Sequence, residues 1–333
     1  MKVLFLIQGW EAVSSRYRVL QYIPYLESKG VEVTTCPFPK TLQENIRFIY
    51  TLPQYDLLFS QRKLIHGLML MFLRKRARRI IYDFDDAVMF RSSGTANPHS
   101  PSREKRFIRM VQAVDFVIAG NEFLKEKVLP LTTNVVTIPT AIDRNRYGLK
   151  DYRSQNKKVT LGWIGGKSSI RYLEKIRPIL ERIGRRYPEC ELKIVCDVFF
   201  DCEKMKVIKK NWNSEEEVAD LQSFDIGLMP LVDDPWSWGK CGLKIVQYQG
   251  VGLPVVCTPV GVNRDLVEDG VNGFWAMTPE DWEERLTELI ENAGLREKMG
   301  KEGRRRALEK FTVQACAPRL LSILQRVSGE RIE

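Results

Sequence analysis

The sequence predicts an α/β protein of two Rossmann-like, doubly wound domains in tandem, and three observations predict it. Short apolar runs bounded by turn residues alternate with helical patterns along the whole chain, the rhythm of a parallel sheet covered by helices. A polar stretch without apolar period, KDYRSQNKK at 150–158, interrupts that rhythm once, after which it restarts. The length of 333 residues is also too great for one comfortable core and suits two domains. The expected division is 1–150 and 151–312, with a last helix in 313–333 free to pack back on the first domain.

In the first half, strands are expected at 3–7, 31–36, 57–60, 79–83, 116–119 and 135–138, with helices such as 16–29 and 63–76 between them. In the second half, strands at 159–164, 191–196, 226–230, 254–258 and 273–276 alternate with helices at 169–186, 214–222, 242–250, 279–292 and 295–310. The opening MKVLFLIQGW reads as a first buried strand, because one lysine and a five-residue apolar run fall short of a signal peptide. The longest apolar run, LIHGLMLMFL at 64–73, is too short to span a bilayer.

A net charge of +10 favours an anionic partner: nucleic acid, an acidic membrane surface or a phosphorylated substrate. Nucleic acid is not expected, since no recognition motif is present and aromatic residues do not interleave with the basic runs. The seven cysteines are scattered, without a CxxC pair, and His66 and His99 are the two histidines, so zinc spacing is absent and a reduced, cytoplasmic setting is expected.

Parallel sheets of this kind bind ligands at the carboxyl ends of their strands, so the loops after strands are where chemistry belongs. GKCGLKIVQYQGVGLPVV, 239–256, reads as a helix, a glycine-broken turn and a strand. On a helical wheel Lys240, Lys244, Gln247 and Tyr248 share an arc of roughly 100°. Lysines four apart repel each other by a few tenths of a kcal/mol, and at a helix N-terminus they oppose the dipole. Both costs reverse if an anion sits there, bound also by the amides of Cys241, Gly242 and Leu243. A solvated basic face is the other reading.

LGWIGGKSSIRYL, 161–173, places Gly165 and Gly166 after a strand, where the backbone can approach a ligand and Lys167 or Arg171 can supply charge. The spacing is neither G-x-G-x-x-G nor a Walker loop, and an ordinary strand-to-helix turn explains it equally well. IIYDFDDAVMF, 80–90, runs a strand into Asp83, Asp85 and Asp86. Such a cluster can act as a base, a hydroxyl binder or a metal site, or Asp86 can simply cap a turn. Carboxylates this close cost stability without a counter-ion or ligand, so at least one is expected to be functional. In the first loop, QGWEAVSSRYR, Arg16 and Arg18 face either the ligand side or the surface.

Together these segments resemble the family-4-type glycosyltransferases of the GT-B fold. The resemblance rests on FDIGLMPL (224–231), KCGLKIVQYQGVGLPVVCTPVGVNRDLVEDGVNGF (240–274) and LREKMGKEGRRRALEKFT (295–312), with VIAGNEFLKE (117–126) and IPTAID (138–143) as weaker landmarks. It implies two domains facing across a cleft, with a UDP- or GDP-sugar on the C-terminal domain and a glycan, lipid-linked or other hydroxyl acceptor on the N-terminal one. Transfer would retain anomeric configuration and need neither metal nor cofactor. Lys240, Lys244 and Asp86 would be catalytic. Gly165, Gly166, Lys167, Arg171, Trp212, Cys241, Gly242, Leu243, Gln247 and Asp265 would bind the donor. Gly9, Arg16, Arg18, Asp83 and Asp85 would lie on the acceptor side.

One departure stands out. The glutamate pair of such enzymes, E-x7-E, falls here on Gly239 and Gln247, with Asp265 keeping an acidic group after the next strand. An inactive GT-B homologue serving as a binding or scaffold protein is therefore an alternative. A nucleotide-sugar epimerase is a further one, disfavoured by the scarcity of histidine. Finally, LMLMFLRKRARR, 68–79, sets apolar residues beside a dense cationic run. It suits either docking on an anionic inner membrane surface, where a lipid-linked acceptor would sit, or a core helix with a basic exposed end.

Overall fold

Strands that are apolar on both faces need helices on both faces, and this requirement shapes the chain. The computed structural model describes residues 1–95, 97–154 and 158–329. They fall in two units: Met1–Ala141 with Asp234–Cys241 and Val313–Glu333, and Ile142–Asp233 with Gly242–Thr312. The division thus comes at 141/142, earlier than the polar stretch suggests, and the later half of the sequence lends two segments to the first unit. Of that polar stretch, residues 155–157 lie outside the described residues. Lys150 is no linker residue: it is buried, and its Nζ donates to the Phe224 carbonyl and to Asp225 at 2.8 Å.

In the first unit, β1 (Lys2–Ile7), β2 (Glu32–Pro37), β3 (Leu57–Gln61), β4 (Ile80–Phe84), β5 (Phe116–Ala119) and β6 (Val135–Thr137) form a parallel sheet in the order β2-β1-β3-β4-β5-β6. Side chains alternate between its faces. Leu4, Leu6, Leu58, Ile80, Tyr82 and Phe84 build one core, and Val3, Phe5, Ile7, Leu57, Phe59 and Ile81 build the other. The Val313–Ser328 helix covers the second face with Cys316, Leu320 and Leu324.

In the second unit, β7 (Thr160–Ile164), β8 (Glu191–Val195), β9 (Lys206–Lys210), β10 (Ile226–Met229), β11 (Val255–Cys257) and β12 (Gly273–Trp275) form a parallel sheet in the order β12-β11-β10-β7-β8-β9. β9 is not expected from the sequence. KVIKK has no apolar run, and its lysines mark it as an edge strand. Two expected helices are broken. Pro24 and Pro178 each start a new helix, Ile23–Ser28 and Arg177–Arg186, where 16–29 and 169–186 read as continuous. Among the described residues no helix is long and apolar enough to cross a membrane.

A pair of glycines sets the centre of the second sheet. Gly162 of β7 lies opposite Gly227 of β10. A Cβ on Gly162 would overlap the Phe224 ring, and one on Gly227 would come within 2.5 Å of the Tyr248 ring. The two rings meet edge to face at 6.3 Å. The Tyr248 hydroxyl then accepts from the Ile164 amide and donates to the Leu228 carbonyl, both at 3.2 Å, joining the ends of β7 and β10. Gly227→Ala is expected to cost about 1–3 kcal/mol of stability in urea denaturation by overpacking. Gly166→Ala, where a Cβ meets open space, is expected to stay within about 0.5 kcal/mol.

Candidate functional site

In the first unit the charged groups gather at the carboxyl ends of β3 and β4. β3 ends at Gln61, and Arg62 follows with φ +58°, a left-handed conformation unusual for a side-chain-bearing residue. Two bonds hold it there: its amide donates to the Asp83 carbonyl at 2.6 Å, and its carbonyl accepts from the Tyr82 hydroxyl at 2.9 Å. The guanidinium pairs with Asp86 and lies 3.7 Å from Asp85. Lys240 Nζ is 3.5 Å from the other oxygen of Asp86 and 5.3 Å from the centre of the Trp236 ring. Two carboxylates and two cations thus share one strand end. Arg62 is not among the residues singled out from the sequence, although its place just after a strand was a usable signal.

The backbone of Lys240 is held by Asn121. Its Oδ1 caps the Glu122–Val128 helix by accepting from the Leu124 amide at 2.8 Å, while its Nδ2 donates to the carbonyls of Lys240 at 2.9 Å and Trp238 at 3.1 Å. Gly239 sits against Ala87, whose amide nitrogen would be 2.7 Å from a Cβ there, so a glutamate at this position has no room. Cys241 Sγ donates to the Asp85 carbonyl at 3.2 Å, and burial pushes its thiol up to about 12, leaving it protonated at neutral pH. Cys241 therefore serves the first unit's packing.

The expected lysine face on one helix is corrected. Gly242 is the N-cap of the Leu243–Gly250 helix with φ +65°, a left-handed turn that stops the helix from running back to Lys240. A Cβ at Gly242 would also overlap Leu266. Lys240 belongs to the first unit and Lys244 to the second.

Arg18 and Asp83 are corrected as well. Both are buried, at 4% and 1% exposure, and they pair with each other. Arg18 Nε reaches Asp83 at 3.1 Å, and its Nη1 donates to the Ile138 carbonyl at 2.7 Å. Burial pushes the Asp83 carboxyl above the usual range. Burial is the largest influence on Arg18 and works against its charge, but the charge and hydrogen bonds of Asp83 together with smaller neighbouring charges overcome it and the arginine is held protonated. The pair is buried at the sheet and each charge has the other as its partner. Asp83 is thereby occupied by Arg18, and among the described residues no group of three or more His, Cys, Asp or Glu side chains could hold a metal. Gly9 faces open space, and Arg16 lies 4.8 Å from the Tyr17 ring centre.

In the second unit, β7 delivers the glycine turn. A Cβ on Gly165 would lie 2.5 Å from the Trp163 ring and 2.9 Å from Lys244 Cε, so the lysine stem lies across this glycine. Lys244 Nζ is 5.0 Å from the Trp163 ring centre and 3.5 Å from Ser169 Oγ. The Gly166 carbonyl accepts from the Ser169 amide at 2.8 Å and hydroxyl at 3.0 Å, closing the turn. Leu243 opens its helix without a side-chain cap. Lys167 is exposed, and Arg171 is half-buried over the Tyr172 ring at 5.2 Å. Asp265 is exposed on the short Asn263–Leu266 helix.

Gln247 and Trp212 face inward. Gln247 Nε2 donates to the Tyr147 hydroxyl at 3.2 Å, which donates to Glu217 Oε1 at 2.9 Å; Trp212 Nε1 donates to Glu217 Oε2 at 3.1 Å. Glu217 is 1% exposed. Trp212 thus bonds a buried carboxylate directly and Gln247 bonds the tyrosine that serves it; a buried carboxylate must be hydrogen-bonded to be tolerated. Nothing in EEEVADLQ distinguishes Glu217 from its solvated neighbours.

Residues 210–306 match the family model described as Glycosyl transferases group 1. The chain is 33% identical over 89 residues to spore coat protein SA of Bacillus subtilis (strain 168), covering 25% of this chain and 24% of that protein. The match thus spans about a quarter of that relative's length. Among solved structures, the chain is similar to Anabaena Alr3699/HepE in complex with UDP and glucose, with a TM-score of 0.72, 16% identity and coverage of 98% of this chain and 100% of that one. It is also similar to sucrose-phosphate synthase (tll1590) from Thermosynechococcus elongatus, with a TM-score of 0.78, 13% identity and coverage of 98% and 99%. The chain has the GT-B fold of the glycosyltransferases, and residues 210–306 are similar to the group 1 family.

Proposed function

We propose that the chain is a glycosyltransferase that moves a sugar from a nucleotide-sugar donor on the second unit to a hydroxyl of an acceptor on the first. The observation that supports this best is Lys244 laid across the Gly165 turn at the end of β7. The Gly165 amide is taken by the Val195 carbonyl at 3.0 Å, so of the two glycines Gly166 would offer its amide to a diphosphate, with Lys244 beside the turn and the uncapped N-terminus of the Leu243–Gly250 helix adding donors and a favourable dipole. As the glycosidic bond breaks, negative charge grows on the departing diphosphate, and fixed donors of this kind stabilise it without reorganising. Lys244 fills the place a divalent cation would otherwise take, and the sugar keeps its anomeric configuration. UDP, present in the Anabaena structure, is the first nucleotide to test, with GDP second.

On the acceptor side, Asp86 is the carboxylate closest to both Arg62 and Lys240, and it would accept the hydrogen bond of the attacking hydroxyl. A lipid-linked acceptor and a role in polysaccharide or glycoconjugate synthesis fit a peripheral, cytoplasmic-face protein. Supporting this, Leu68, Met71 and Phe72 are exposed on the Gly67–Arg76 helix, whose last turn carries Arg74, Lys75 and Arg76. The second reading, an inactive GT-B binding protein, is favoured by the inward turn of Gln247 and by the crowding at Gly239.

Two outcomes are expected. Lys244→Ala lowers kcat/KM for transfer or hydrolysis of the preferred nucleotide sugar about 100-fold; turnover unchanged by the substitution would remove the proposed role, and no turnover of any nucleotide sugar would favour the inactive reading. Leu68→Ser/Phe72→Ser weakens co-sedimentation with phosphatidylglycerol vesicles about tenfold or more; equal sedimentation of the variant would place membrane contact elsewhere.

A further inference from the structure

We propose that the first unit holds an anion subsite for the acceptor, so that the acceptor carries a phosphate group. The site is a cavity of about 320 Å³ whose walls include Arg62, Lys63, Arg103, Arg106 and Trp236. The word acceptor rests on the glycosyltransferase reading; the anion site itself does not.

Four cations on one small cavity repel one another, and their partners do not balance them. Arg62 is paired with Asp86. Lys63 Nζ rests over the Phe38 ring, 4.8 Å from its centre. Arg103 gives one hydrogen bond, to the Phe90 carbonyl at 3.1 Å. Arg106 is exposed and has no hydrogen bond or ion pair among the described residues. Asp85 and Asp86, the carboxylates that Arg62 reaches, are not among the lining residues, and Asp86 is shared with Lys240. Three exposed cations thus line one cavity without a carboxylate in its lining, an arrangement an anion relieves and water only screens.

The geometry favours phosphate on a sugar or similar ring. Arg103 and Arg106 are three apart on the Pro101–Ala113 helix, so their guanidinium groups share a face and can grip one tetrahedral group together. Trp236, half-buried in the wall, offers a flat apolar surface for the C–H face of a ring, with Lys240 held beside it. Arg62, with its left-handed backbone, lines the cavity and pairs with Asp86, so it links the cavity wall to the acidic strand end. A bound phosphate at Arg103, Arg106 and Lys63 would leave a ring hydroxyl directed toward Asp86. The phosphate can come from a soluble sugar phosphate or from a lipid phosphate.

The full chain is titrated calorimetrically with glucose 6-phosphate, glucose, farnesyl phosphate in detergent micelles, and UDP. Both phosphates are expected to bind and glucose is not. Lys63→Ala/Arg106→Ala should weaken the phosphates at least about tenfold while leaving UDP binding within about twofold, which also shows that the variant is folded. Lys244→Ala should do the reverse. Tighter binding of farnesyl phosphate assigns the group to a lipid, and tighter binding of glucose 6-phosphate to a soluble acceptor. Phosphates that bind no better than glucose, or that bind the double variant undiminished, overturn the proposal. Phosphate binding without UDP binding would sink the donor reading and leave this site standing.

Discussion

Burial of both faces of each parallel sheet is the constraint on which the rest depends. β1, β3, β4, β7 and β10 are apolar along almost their whole length and covered on each side. Polar chemistry has no place on such faces, because an unpaired polar group there is expensive. Strand ends are where backbone groups and charged side chains can stay solvated, and the candidate groups of both units are found there: Arg62, Asp85 and Asp86 after β3 and β4, Gly165 and Gly166 after β7. The exception is instructive. Asp83 is a strand residue inside the first sheet, and it is tolerated because Arg18 is buried with it.

The same constraint explains what was legible in the sequence. Runs such as VLFLI and LLF are short, apolar and bounded by turn residues, and nearly every strand stands within a residue or two of its expected place. β9 was illegible because an edge strand needs no apolar run, and helix breaks at Pro24 and Pro178 were read through because the apolar period continues across them. At the site, the glycine turn and the acidic strand end were legible as loops that follow strands. The partners of individual side chains were not. A helical wheel placed Lys240 and Lys244 together, yet one left-handed residue, Gly242, separates their environments. Likewise no spacing rule tells that Gln247 bonds Tyr147 and Trp212 bonds Glu217, or that Asn121 caps a helix and clamps Lys240 at once.

The departures from the family's acidic pair acquire a physical sense in this chain. Ala87 fills the space a side chain at Gly239 would need, and Gln247 spends its amide on the Tyr147–Glu217 network. What the chain retains is positive charge placed at strand ends by rigid neighbours. Lys244 is guided by Trp163 and Gly165, and Lys240 by Asn121 and Trp236. Cations fixed in this way are suited to anions whose charge rises during reaction.

The most direct test of donor binding at the second unit is hydrogen–deuterium exchange of the full chain with and without saturating UDP. Slower exchange at the amides of residues 165–168 and 243–245, the turn after β7 and the first turn of the Leu243–Gly250 helix, is the expected result. Exchange unchanged at those amides, or slowed only within the first unit, would contradict it.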